Sequence, residues 1–218
     1  MFVHSLVGTE NNPIYQQLAA ENLDRQYSFL RSIVRASIDA RHPLLSNQIL
    51  KALNYHAITC LHPSAGEFRP CEVRVGNHLP PPWWEVPAHM QMFTNEVNFM
   101  WNSSGPIGLA AYVLWKLNYI HPFINGNGRT ARVACHYVIC AKAGGWLPGT
   151  PILPELITAN RPEYYAGLRV ADQSLAATGN VDLAPLHALL QRLLSEQLAS
   201  AEAGPSPDVS EEPLPGGA

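Results

Sequence analysis

The chain has 218 residues, an apolar share of 47 %, a charged share of 14 % and a formal net charge of −3. That length suits one well-buried domain and is short for two, and the mixture is that of a globular protein rather than a disordered one. The slightly acidic balance gives no electrostatic reason to expect nucleic acid as a partner, and no apolar run is long enough for a membrane span.

The N-terminal stretch lacks a basic region followed by a long apolar run, so no secretory signal is read there. Cys60, Cys71, Cys135 and Cys140 form no Cys-x-x-Cys pair, which argues against a zinc ribbon or redox motif and for reduced, packed thiols in a cytosol. The expected location is cytoplasmic, with delivery into another cell left open.

From Pro13 to Ile38 a helix is expected, with proline at a first helical position and Leu23, Tyr27, Leu30, Val34 and Ile38 at helical intervals. A second helix is expected over Ser46–Leu61, capped by Ser46 or Asn47. Between Gly66 and Gly76, apolar and polar residues alternate, which predicts a short β-hairpin flap. Pro80-Pro-Pro-Trp-Trp84 breaks regular structure; Trp83 and Trp84 read first as loop packing and second as a lip over a groove. Helices follow over about 87–102, 106–119, 128–143, 161–177 and 183–203, the third of them closed by Gly144-Gly145. The Pro-, Gly- and acid-rich stretch 204–218 is expected to be a disordered tail. The fold class is therefore mostly α, a single helical domain over 1–203 with one small β flap at about 66–76.

The segment His121-Pro-Phe-Ile-Asn-Gly-Asn-Gly-Arg-Thr-Ala-Arg132 carries the chemistry. Two glycines in three residues permit a tight turn and close approach of a ligand to the backbone. The free N–H groups and positive dipole end of the helix that follows favour an anion. Arg129 and Arg132, at i and i+3, can fork onto phosphates, and His121 is the residue type suited to proton transfer near neutral pH. Together they describe a polyphosphate cradle with a base beside it.

At this segment the chain resembles the Fic family, whose motif reads His-x-Phe-x-(Asp/Glu)-Gly-Asn-Gly-Arg-x-x-Arg. Every fixed position matches except Asn125, which replaces the acidic residue. Gly66-Glu-Phe-Arg69 is similar to the family's Gly-x-(Tyr/Phe)-Arg element, and Arg161-Pro-Glu-Tyr-Tyr-Ala-Gly-Leu168 to the segment after the motif helix. The resemblance covers about residues 14–200.

It implies a protein adenylyltransferase that moves AMP from ATP, with Mg²⁺, onto a Ser, Thr or Tyr hydroxyl of a protein target. His121 would be the general base. Gly126, Asn127 and Gly128 would form the anion hole, while Arg129 and Arg132 would hold the β- and γ-phosphates. Glu67, Phe68, Arg69, Val73, Arg74 and Val75 would belong to a flap that docks an extended target segment. Tyr164 and Tyr165 could flank an adenine ring, with core packing about as good an account.

Asn125 stands where the family places its acidic Mg²⁺ ligand. An amide oxygen can ligate a hard cation but brings no charge, so weaker metal binding at Asn125 is expected, or a metal held mainly by phosphates and waters. Transfer of UMP, phosphate or phosphocholine, and a nucleotide-binding regulatory module without turnover, are the alternatives. The family's inhibitory pattern (Ser/Thr)-x-x-x-Glu-(Gly/Asn) has no clean match: Glu10-Asn11 has Leu6 at the hydroxyl position. Restraint by a separate antitoxin-like partner, as in a toxin–antitoxin pair, and absence of such restraint both stay open. Cys60-Leu-His62 is too short a set for a metal site on its own.

Overall fold

The computed structural model describes residues 2–76 and 78–202; the expected disordered tail lies outside them. Nine α-helices follow in order: α1 Val3–Val7, α2 Pro13–Asp39, α3 Asn47–Ile58, α4 Val86–Met100, α5 Pro106–Ile120, α6 Asn127–Ala143, α7 Leu153–Ala159, α8 Arg161–Thr178 and α9 Ala184–Glu202. Local chemistry starts and stops them. The Asn12 side chain accepts from Ile14 N–H ahead of Pro13, and Ser46 accepts from Ile49 N–H to cap α3. Gly144, at φ 77°, closes α6 in the left-handed conformation.

The antiparallel pair α5–α6 is the centre. Buried residues occupy nearly every side of both, from Leu109 to Ile120 and from Thr130 to Ala141, the pattern of helices enclosed all round. Helices α2 and α3 cover one flank of α6, α4 lies against α5, and α7, α8 and α9 close the opposite side. Among the described residues no helix is long and apolar enough to cross a membrane.

The predicted β-hairpin flap does not form. Among the described residues there is no strand, only two isolated antiparallel bridges, Phe68 with Phe123 and Val75 with His78. The alternation was real, but the backbone groups that a ladder needs are used otherwise. Pro70 lacks a donor, and the guanidinium of Arg69 takes the carbonyls of Cys71 and Pro81.

Several other elements differ from expectation. Helix α3 stops at Ile58, and the chain turns there through Cys60 at φ 63°. Trp83 and Trp84 form a 3-10 turn that leaves Trp84 62 % exposed, so it packs no core. Cys135 and Cys140 are packed, while Cys60 and Cys71 are exposed, all four unpaired. Helix α7 has no sequence forecast. It is only seven residues long and is held by Leu153 N–H donating to Gln197 Oε1 at 2.8 Å, a contact that local pattern does not reveal.

Candidate active site

His121 is the residue on which α5 ends. Its N–H closes the helix on Leu117 O at 3.0 Å, and its backbone turns left-handed, at φ 50° and ψ 58°. That region costs an L-residue about 1 kcal/mol, so something must hold it. Arg69 does, donating from Nε to His121 O at 2.9 Å, while Arg69 N–H donates to Pro122 O at 2.8 Å. The Arg69 side chain is wholly buried, with its remaining nitrogens on the carbonyls of Cys71 and Pro81. Sequence reasoning placed it on a target-docking flap; the structure makes it an internal brace.

Burial pushes the His121 imidazole down to about 4, helped by His78 and Arg69 and opposed by the nearby Asn118 backbone. The ring is therefore neutral at neutral pH, the form that accepts a proton. Nδ1 is buried with no hydrogen-bond partner among the described residues, and His121 lines the cleft beside it.

After Pro122 and Phe123 the chain reverses through Gly126, at φ 76°. A Cβ there would come within 2.7 Å of Ile58 Cγ2 and 3.0 Å of Asn54 Nδ2, so glycine is required by space as well as by φ. The Asn127 side chain does not reach for a ligand. It accepts from Phe123 N–H at 2.9 Å and donates to Phe123 O at 2.8 Å, which fixes the turn from inside. Asn54 braces it from α3, donating to Asn125 O at 2.9 Å and accepting from Gly66 N–H at 3.0 Å. The first helical hydrogen bond of α6 is Thr130 N–H to Gly126 O. The N–H groups of Asn127, Gly128 and Arg129 are thus left at an open helix start, which favours an anion.

The two arginines part company. Arg129 donates to Ala57 O at 2.8 Å and to Asn125 Oδ1 at 3.1 Å, on the α3 side. Arg132 turns to the other side, among Tyr27, Tyr164 and Tyr165; burial pulls its pKa down and the tyrosines oppose this. Gly128 makes room for it, since a Cβ there would lie 3.2 Å from Arg132 Nη1. Among the described residues no carboxylate pairs with Arg132. A largely enclosed cation without a counter-charge is costly alone and well suited to an incoming anion.

Beside His121 opens a cleft of about 830 Å³, lined by Val75, His78, Trp115, Tyr119, Tyr165 and Asp172 among others. Trp115 Nε1 donates to Asp172 Oδ1 at 2.9 Å and fixes that carboxylate on the wall. Tyr165 presents its ring here at 47 % exposure. Tyr164 is enclosed and accepts from Asn118 Nδ2 at 2.8 Å, so of the two only Tyr165 offers a face to a base. Of the other flap candidates, Glu67 pairs with Lys51 at 2.6 Å and Phe68 packs on Phe123. Val75 lines the cleft, while Val73 and Arg74 precede it in the chain, with Arg74 and Val75 exposed and Val73 half-buried. Sequence reasoning missed Asn54, His78 and Asp172. Asn54 carried a readable signal, a buried amide on the apolar face of a helix, whereas the other two are joined to the site only by the fold.

For a divalent cation, Asn125 as placed is a poor ligand: its Oδ1 accepts Gly126 N–H at 2.6 Å as well as Arg129. Its Nδ2 donates to Glu10 Oε1 at 3.0 Å, so a carboxylate does stand beside the turn. Among the described residues no three His, Cys, Asp or Glu side chains are grouped so as to hold a metal ion. A cation here would lean on that single carboxylate and on the oxygens of a bound polyphosphate.

A mostly helical fold whose central helix opens in a glycine turn, between a neutral histidine and an enclosed arginine, is arranged to favour an anion such as phosphate. More narrowly, residues 44–139 match the model of the "Fic/DOC family". Proteins named protein adenylyltransferase Fic are similar to this chain. Those of Drosophila persimilis and Drosophila willistoni are each 38 % identical over 109 residues, 50 % of this chain and 20 % of theirs. The chain thus spans about a fifth of the length of these relatives. In fold it is similar to Fic-1 (aa134–508) of C. elegans, with a TM-score of 0.70 at 23 % identity over 92 % of this chain and 55 % of that one. A Fic-domain-containing signaling protein from Bacteroides thetaiotaomicron gives 0.64 at 20 %, over 92 % and 79 %.

Proposed function

We propose that this protein is a protein adenylyltransferase, moving AMP from ATP to the hydroxyl of a Ser, Thr or Tyr on a target protein. One observation carries the reading: a neutral, part-buried His121 stands six residues before a helix start with open N–H groups, and Arg132 on that helix pairs with no carboxylate among the described residues. Such a site is arranged for a triphosphate and an attacking hydroxyl, where positioning and charge neutralisation do most of the catalysis.

In the reaction, the target oxygen forms a bond to the α-phosphorus as the bridging bond to the β-phosphate breaks. Pyrophosphate leaves, and the hydroxyl proton passes to His121 Nε2. The open N–H groups of Asn127, Gly128 and Arg129 hold phosphate oxygens, and Arg132 takes the phosphate furthest from the reacting centre. The base lies in the cleft against Tyr165, and the exposed rim at Val73–Val75 meets the target. Mg²⁺ would be held from the protein side by the carboxylate beside Asn125 and would supply charge neutralisation at the phosphates. The free Arg132 also offers an acidic side chain of an antitoxin-like partner a place to bind.

A second reading, transfer of UMP, phosphate or phosphocholine, draws on Asn125, whose amide is committed to the turn itself. Incubation with lysate and α-labelled ATP, γ-labelled ATP, α-labelled UTP or choline-labelled CDP-choline separates these donors. Covalent label from α-labelled ATP, lost in His121→Ala, supports the first reading. Label from another donor alone supports the second. Reversible nucleotide binding with no covalent label from any donor rejects both, in favour of a binding module.

A further inference from the structure

The N-terminal segment is fastened to the site. Val3 and His4 donate their N–H groups to the carbonyls of Cys60 and Leu61, at 2.9 and 3.1 Å. His4 stacks on His62, whose Nε2 lies 2.9 Å from the Tyr15 hydroxyl. The chain between α1 and α2 is thereby led across the end of α3, and Glu10 arrives at the glycine turn. Its Oε1 accepts from Asn125 Nδ2 at 3.0 Å and lies 3.4 Å from His62 Nε2. Among the described residues its second oxygen has no partner, and the side chain is about half exposed.

The carboxylate thus stands against the one motif position that has no charge. It does not block the cradle's cations, since it forms no ion pair with Arg129 or Arg132.

We propose that Glu10 supplies the carboxylate that position 125 lacks, and that it is the protein's ligand for the divalent cation accompanying the nucleoside triphosphate. The acidic role has moved from the motif to a residue 115 positions away in sequence. A hard cation needs oxygen donors carrying negative charge. Beside this turn Glu10 offers one free oxygen, while the Asn125 amide oxygen is already engaged with two N–H donors. Asn125 then acts as a positioning residue, holding Glu10 through Nδ2. The inference rests on the nucleotide-site reading above.

The test uses the full chain as wild type, Glu10→Gln, and Glu10→Gln combined with Asn125→Asp. Mn²⁺ serves as a paramagnetic probe with a non-hydrolysable ATP analogue, and nucleotide binding is also measured in EDTA. Glu10→Gln is expected to weaken Mn²⁺ binding to the protein–nucleotide complex by about tenfold or more, and Asn125→Asp in that background to restore it. Unchanged Mn²⁺ affinity in Glu10→Gln overturns the proposal, as does nucleotide binding by wild type that is indifferent to Mn²⁺; either leaves the nucleotide site standing. Tighter nucleotide binding in Glu10→Gln, with metal as well as without, also overturns it, because Glu10 would then be a plug. No nucleotide binding by wild type overturns both the proposal and the site reading beneath it.

Discussion

The Nε of Arg69 lies 2.9 Å from the carbonyl oxygen of His121, and this contact ties the loop after α3 to the residue that ends α5. The guanidinium spreads over three backbone carbonyls, which a lysine, with one compact ammonium, does not reproduce. Arg69→Lys should lower stability by at least about 2 kcal/mol, given the usual worth of hydrogen bonds from charged donors. Urea unfolding monitored by circular dichroism measures it; a loss within error would mean that the brace is dispensable.

Arg132 sets stability against binding. It is largely enclosed, and among the described residues no carboxylate pairs with it. Arg132→Met keeps the apolar stem and removes the uncompensated charge, so the variant should be more stable than wild type by about 1–2 kcal/mol. Its affinity for ATP should fall at least about tenfold, as loss of a charge-assisted contact to phosphate implies. Thermal unfolding and calorimetric titration read the two effects, and a less stable variant contradicts the account.

Glycine at 126 and at 76 should behave differently, although both have positive φ. A Cβ at 126 meets Ile58 at 2.7 Å, whereas a Cβ at 76 meets nothing within 4 Å. Gly76→Ala should cost about 1 kcal/mol for the backbone alone. Gly126→Ala adds overpacking and should cost about 2–4 kcal/mol in all. Equal losses in chemical denaturation would remove the steric argument.

Acid should act on two histidines. Burial pushes both His121 and His136 down to about 4. A group that resists protonation when folded and accepts it near 6.5 when unfolded gives stability that is complete above about pH 6.5. That stability drains away as the pH falls toward 4. For each group the gap corresponds to about 3 kcal/mol at most, so His136→Leu should flatten the acid slope of stability by up to that amount. The acid limb of kcat/KM, which reports the free enzyme, should lie well below pH 6.5 for His121. A limb at 6.5 would indicate a solvated imidazole.

The site was legible where chemistry and neighbours in sequence coincide. His121, Gly126 and the start of α6 sit within seven residues, and helix capping with a glycine turn needs no distant partner to be recognised. The seven long helices were likewise readable from periodicity and caps. What escaped depends on contacts across the fold. Arg69 reads as a surface residue in an alternating run, and only the carbonyls of residues 71, 81 and 121 around it make it internal. Glu10 lies in a short, polar segment with no pattern, and its meeting with Asn125 is a product of where α1 docks. The hairpin was misread because alternation describes which side chains are apolar, not which backbone groups are free to pair.

The seam between α5 and α6 has a kinetic meaning as well. These helices pack more extensively on each other than any other pair, and the histidine and the glycine turn both belong to the link between them. Opening that link separates the middle of the domain, so amide exchange at residues 130–134 should proceed only through global unfolding. Slow conformational control therefore has no purchase on the reacting centre itself. It has to act at the borders: the arm that carries Glu10 and the largely exposed chain at Glu72–Gly76.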